Sequence, residues 1–129
     1  MGQSLGEMAV GSFPMIFQLS GLNVNQANTD IGTFTGLPPR YIVRKLYFNN
    51  ASAAPTLATV DLRTAAAGAG SAIVSAQVLS TLSSAGVVLD STLALTTAQT
   101  APSLVVRAVA AAGGAATVDA ALEIIPLSS

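Results

Sequence analysis

The stretch TVDAALEII at residues 117–125 alternates apolar and polar side chains more regularly than any other part of the chain. Successive side chains of a β-strand point to opposite faces of the sheet, so alternation with a period of two predicts a strand with one buried face. The positions expected to face the core share an apolar character and are Val118, Ala120, Leu122 and Ile124.

A second strand is predicted at residues 41–48, YIVRKLYF, which are rich in β-branched and aromatic residues. Pro38 and Pro39 precede it and two asparagines follow it, which are typical strand boundaries. Strict alternation places Ile42, Leu46 and Phe48 on one face and Tyr41, Val43 and Tyr47 on the other. Because both faces carry apolar side chains, we expect both to contact protein.

Further short strands are predicted between turn signals, and residues 56–64 form the clearest of them, with Ala58, Val60 and Leu62 on one face. Residues 75–84, SAQVLSTLSS, are ambiguous, but Val78, Leu79 and Leu82 fit one short helix that Gly86 would end. The remaining predicted strands cover residues 15–19, 29–35, 72–75, 87–95 and 103–109. Seven or eight short strands predict an all-β, single-domain, jelly-roll-like or Ig-like β-sandwich over residues 15–129, preceded by an extended N-terminal arm at residues 1–14.

The composition restricts the chemistry that this chain can perform. Its 129 residues include no His, Cys or Trp and only 9% charged residues. A Ser-His-Asp triad, a disulfide and a zinc-thiolate site are therefore impossible. The aspartates are about 30 residues apart and form no calcium-loop pattern. We therefore predict no catalytic, cofactor-binding or metal-ligating residue, and no enzyme activity.

The distribution of charge argues against nucleic acid and membrane as partners. Five basic residues are matched by six acidic ones, so no basic patch is expected. The longest uncharged stretch, residues 64–89, is interrupted by three glycines and five serines and is not a membrane span. A folded chain with so few charges is best explained if other proteins cover much of its surface.

Two segments carry a resemblance to a known family: DIGTFTGLPPRYIVRKLYFNNASAAPTLATVDLRTAAAG at residues 30–68 and ATVDAALEIIPL at residues 116–127. In the general character of its sequence and in its order of strands, most of residues 28–127 resembles the capsid decoration, or cement, proteins of tailed bacteriophages. The resemblance implies a β-sandwich or jelly roll that binds the outside of the capsid lattice as a dimer or trimer. It also implies a protein made in the host cytoplasm that reinforces the virion without catalysis.

The expected partners are accordingly the major capsid protein and further copies of this chain, as a homodimer or homotrimer. Aromatic and other large apolar side chains dominate protein interfaces. The predicted interface residues are Phe13, Met15, Phe17, Tyr41, Tyr47 and Phe48. Two alternatives stay open: another virion component of the tail, neck or fibre, and a carbohydrate-binding jelly roll with an exposed aromatic platform or a calcium site.

Overall fold

The computed structural model describes residues 13–128 and contains eight β-strands in two four-stranded antiparallel sheets. Sheet A has the strand order β1-β8-β3-β6, and sheet B has the order β2-β7-β4-β5. No helix occurs within residues 13–128, and hence none there could span a membrane. The strands are β1 (Met15–Asn23), β2 (Thr29–Phe34), β3 (Tyr41–Asn49), β4 (Thr59–Arg63), β5 (Ala72–Val78), β6 (Leu89–Asp90), β7 (Leu104–Ala110) and β8 (Thr117–Pro126).

The strand pairing is nested along the chain. The first strand pairs with the last, the second with the seventh, the third with the sixth and the fourth with the fifth. Only the β4–β5 connection stays within one sheet, so the chain crosses repeatedly between the sheets. Their inner faces share one apolar core, which confirms the predicted all-β sandwich.

Strand β8 lies between β1 and β3 and alternates strictly between buried and partly exposed positions. The four predicted core residues, Val118, Ala120, Leu122 and Ile124, are all buried. The interpretation of residues 117–125 as a half-buried strand is therefore confirmed. The same holds for Ala58, Val60 and Leu62 before and within β4, which are also fully buried.

The predicted faces of β3 are wrong at its N-terminal half. The pairing with β8 shifts between Val43 and Lys45, which is a β-bulge at Arg44. The extra residue resets the alternation, so Tyr41 and Val43 lie on the same buried face as Leu46 and Phe48. Alternation counted across an unrecognised bulge assigns every residue on one side of it to the wrong face.

Two loop-rich segments also differ from expectation. Of residues 87–95, predicted as one strand, only Leu89–Asp90 is a strand. Strand β5 continues to Val78, and turns rather than a helix follow it, with Leu79 and Leu82 buried in the core. Of the predicted arm, residues 1–12 lie outside the described residues, and Phe13 and Pro14 precede β1.

Candidate protein-interaction surface

Many of the few charged side chains form ion pairs within the fold. Among residues 13–128, three pairs engage three of the five basic and three of the five acidic residues. On sheet B, Arg107 Nη1 lies 2.9 Å from Asp30 Oδ1, and Arg63 Nε lies 2.9 Å from Asp61 Oδ2. Arg107 stands opposite both Asp30 and Asp61 in the strand pairing, so the charges alternate in sign across the sheet.

The alanine- and glycine-rich connection between β4 and β5, residues 64–71, is anchored to these charges. The Ala67 amide donates to Asp30 Oδ2 at 2.8 Å. Gly68, at φ 80°, lies so close to the Arg107 guanidinium that a Cβ there would be 3.3 Å from Nε. The Ala67 amide and the Arg107 guanidinium hold the pKa of Asp30 below its ordinary value, against a smaller opposing effect of burial. This charge cluster therefore has a structural role.

Asp119 performs a similar task on sheet A. Its carboxylate accepts hydrogen bonds from the Gly21 amide and the Asn50 side-chain amide, both at 2.9 Å. These bonds lower the pKa of Asp119 and fix the bulge in β1, where Gly21 has φ 65°. A shallow polar depression of about 120 Å³ lies beside the bulge, and its lining includes Gln18, Asn49 and Asp119. No cluster of three potential metal ligands occurs among residues 13–128.

Three of the six exposed large apolar side chains in residues 13–128 are neighbours along one edge of sheet A, whereas Leu57, Val78 and Val88 lie apart from it on other segments. We call residues 13–19 the β1 edge, because β1 is the outermost strand of its sheet. Three of its side chains are strongly exposed: Phe13 at 64%, Ile16 at 53% and Met15 at 39%. No charged residue occurs between Phe13 and Asn23. An apolar edge strand with an unpaired row of backbone groups is a docking element for another β-strand.

The outward side of sheet A adjoins this edge, and we call it the sheet-A outer face. Its apolar members are Ile16, Ile42, Tyr47, Ala121 and Ile125, and its polar and charged members include Gln18, Lys45, Asn49, Asp90, Asp119 and Glu123. Ile42 stands opposite Ile125, while Glu123 lies between Ile16 and Lys45. Glu123 Oε2 is 3.3 Å from Arg44 Nε, and Lys45 Nζ is 5.5 Å from the Tyr47 ring centre. Glu123 and Lys45 on this face thus contact neighbouring groups of β3.

The structure separates the six predicted interface residues into two groups. Phe13, Met15 and Phe17 lie on the β1 edge, and Tyr47 is partly exposed on the sheet-A outer face. Tyr41 and Phe48 are wrong as surface residues, because both are fully buried in the core. The Tyr41 hydroxyl donates to the Ala101 carbonyl at 2.8 Å, which satisfies its one polar group.

Sequence reasoning missed Ile16 and Ile42, which are apolar and at least partly exposed. The signal for Ile16 was present, since it alternates with Met15 and Phe17 in a strand that is apolar on both sides. Ile42 was hidden by the bulge at Arg44, which reverses its face relative to Leu46.

Comparison of the chain with protein-family models, curated proteins and solved structures finds no match.

Proposed function

We propose that this chain is a non-enzymatic structural protein of a tailed-bacteriophage virion. It binds the outside of the capsid lattice and stabilises the shell by clamping adjacent major capsid protein subunits. The observation that carries the proposal is the uncharged β1 edge with its exposed side chains Phe13, Met15 and Ile16, which continues into the sheet-A outer face.

The nested strand pairing supports the jelly-roll form of this proposal. A jelly roll is an eight-stranded pair of sheets in which the halves of one long antiparallel hairpin are rolled together. Pairing of β1 with β8, β2 with β7, β3 with β6 and β4 with β5 is the order that such rolling produces. This agrees with the fold implied by the resemblance to decoration proteins.

The use of charges within the fold supports the proposal energetically. Burying an unpaired charge in an interface is costly. Here Arg63, Arg107, Asp30 and Asp61 are already paired on sheet B, away from the β1 edge. Full burial of a large apolar side chain contributes about 1.5–3 kcal/mol, so covering three half-exposed ones contributes on the order of 3 kcal/mol per copy. Many copies on a closed shell convert such modest contacts into strong retention.

The test compares capsids that lack the protein with capsids reloaded with purified protein. Heating with a dye that reports DNA release should show a higher release temperature after reloading with the unaltered chain. Ile16→Asp places a charge on the β1 edge and should abolish the gain. Val78→Asp is the matched control, because Val78 is 50% exposed but lies at the end of β5 in sheet B, and it should retain the gain.

An unaltered release temperature after saturating addition of the unaltered chain would refute the stabilising role. A virion position on the tail, neck or fibre is the nearest alternative, and electron microscopy of particles carrying a labelled copy separates these locations. Labelled copies confined to the tail would replace the capsid assignment by a tail role.

A carbohydrate-binding function is the second candidate, because Tyr47 and Gln18 flank Ala121 on the same face as the polar depression. An aromatic ring beside amide and carboxylate groups can bind a sugar by stacking and hydrogen bonding. A glycan array probed with the unaltered chain and with Tyr47→Ala tests this. Binding that disappears in the variant would favour the carbohydrate function.

A further inference from the structure

The core of the sandwich is open at the β1 edge. Met15, Phe17 and Leu19 stand opposite the buried Ile124, Leu122 and Ala120 of β8, so their side chains point to the inner side of sheet A. Phe17 and Leu19 pack against the core yet stay partly exposed, and Met15 is 39% exposed. Within residues 13–128, nothing lies beyond β1 in its sheet to cover these side chains.

The other three sheet edges are protected in ways that β1 is not. Strand β6 has only two residues. Strand β2 carries Asp30 in its ion pair with Arg107. Strand β5 is irregular, with Ala76 at φ 48° and two shifts in its pairing with β4. Short length, charge and irregularity are the usual devices that prevent edge-to-edge pairing. In β1 a regular, uncharged ladder runs from Met15 to Leu19.

We propose that β1 pairs antiparallel with β1 of a second copy of this chain, about a two-fold axis at Phe17. The two A sheets then form one continuous eight-stranded sheet, in which the second copy covers the inward-pointing Met15 and Phe17, while the outward-pointing Ile16 and the sheet-A outer face stay accessible to the capsid. In this register Phe17 stands opposite Phe17 of the second copy, Met15 opposite Leu19, and Ile16 opposite Gln18. The proposal names a second copy of this chain as one partner of the proposed structural protein. The dimer is argued from the β1 edge alone, and only its biological use rests on the proposed function.

The limits of the regular ladder select this register. Pro14 has no amide hydrogen, so it cannot donate the next hydrogen bond of the ladder. At the other end, the bulge between Leu19 and Leu22 breaks the alternation. The five residues between these limits have Phe17 at their centre. A two-fold axis at Phe17 pairs each of these five residues with a residue of the second copy, as an isologous interface requires.

The chemistry of the paired side chains explains why a second copy fits. The inner-face pairs of Phe17 with Phe17 and Met15 with Leu19 are wholly apolar and would close the open core from both sides. Because β1 has no charged side chain, the two-fold arrangement brings no like charges together.

Cysteine cross-linking tests the register, since the natural chain contains no cysteine. Directly opposed residues of antiparallel strands have Cα atoms about 5 Å apart, within reach of a disulfide. Phe17→Cys should therefore form a covalent dimer under mild oxidation. Ile16→Cys is the matched control, because two copies of residue 16 would be about 8 Å apart and unable to bridge. Mixing Ile16→Cys with Gln18→Cys should restore the cross-link.

Sedimentation of the unaltered chain keeps the proposal testable if Phe17→Cys fails to fold. We expect a monomer–dimer equilibrium that shifts to monomer in Ile16→Asp and not in Val78→Asp. A chain that stays monomeric at every concentration would overturn the proposal. This conclusion would be the same if residues 1–12 or another protein covered the edge instead. Equal cross-linking of Ile16→Cys and Phe17→Cys would overturn the register.

The two proposals fail separately. A monomeric chain that still raises the temperature of DNA release would refute the β1 dimer and leave the virion function standing. A cross-linked dimer that leaves capsid stability unaltered would refute the virion function and leave the β1 dimer standing.

Discussion

Replacement of Tyr41 by Phe tests whether this residue belongs to the core, as the structure has it, or to an interface. The ring is fully buried, and the hydroxyl donates to the Ala101 carbonyl at 2.8 Å. Tyr41→Phe keeps the ring and removes only this hydrogen bond. A neutral hydrogen bond contributes about 1 kcal/mol, so we expect the free energy of unfolding at about pH 8 to fall by that amount. For a chain of this length, this corresponds to about 4 °C in Tm.

The stability deficit of the same substitution should disappear in alkali. Burial raises the pKa of Tyr41 from 10.0 to about 12 in the folded chain. Between these values the unfolded chain loses the phenolic proton and the folded chain keeps it, so stability is intact below about pH 10 and decreases as the pH rises towards 12. At about pH 11 the loss amounts to ~1.4 kcal/mol. Tyr41→Phe has no proton to lose, so its deficit should disappear at this pH.

Urea unfolding of both proteins at about pH 8 and pH 11 measures the two differences directly. Tyr47→Phe is the control for removal of a partly exposed hydroxyl, and at neutral pH it should alter stability by less than about 0.5 kcal/mol. If the deficit of Tyr41→Phe were the same at both pH values, the buried environment assigned to this hydroxyl would be refuted.

Two further predictions concern a turn and the acid response. Gly70→Ala should lower the free energy of unfolding by about 2 kcal/mol, because Gly70 has φ 71° and a Cβ there would meet the Thr64 hydroxyl and the Ala65 backbone nitrogen. Gly86→Ala is the control, since the space around Gly86 is open, and thermal melts should show it to be nearly neutral. The pKa values of Asp30 and Asp119 lie below 3.8 in the folded chain, so their contribution to stability is present above about pH 4 and is lost as the pH falls through the lowered values. Melts in acid should show this loss reduced in Asp30→Asn, and an unaltered acid profile in that variant would contradict the role of the carboxylate.

The sequence by itself determined the fold class and the most regular strand. In residues 117–125 every even-numbered position is apolar, and this local pattern suffices because β8 is a central strand whose two faces differ consistently in burial. The composition likewise excluded imidazole, thiol and disulfide chemistry, because the chain contains neither His nor Cys. These conclusions depend only on which residues are present and how they alternate.

The tertiary structure alone decided which apolar residues reach the surface. Whether Tyr41 is buried depends on a bulge at Arg44, which is defined by the pairing of β3 with β8 and leaves no mark in the local pattern of residues 41–48. Whether β1 is exposed depends on its place at the edge of sheet A, which is set by contacts between residues about 100 positions apart. Strand order and register arise from long-range pairing, and so the candidate interface became visible only in the folded chain.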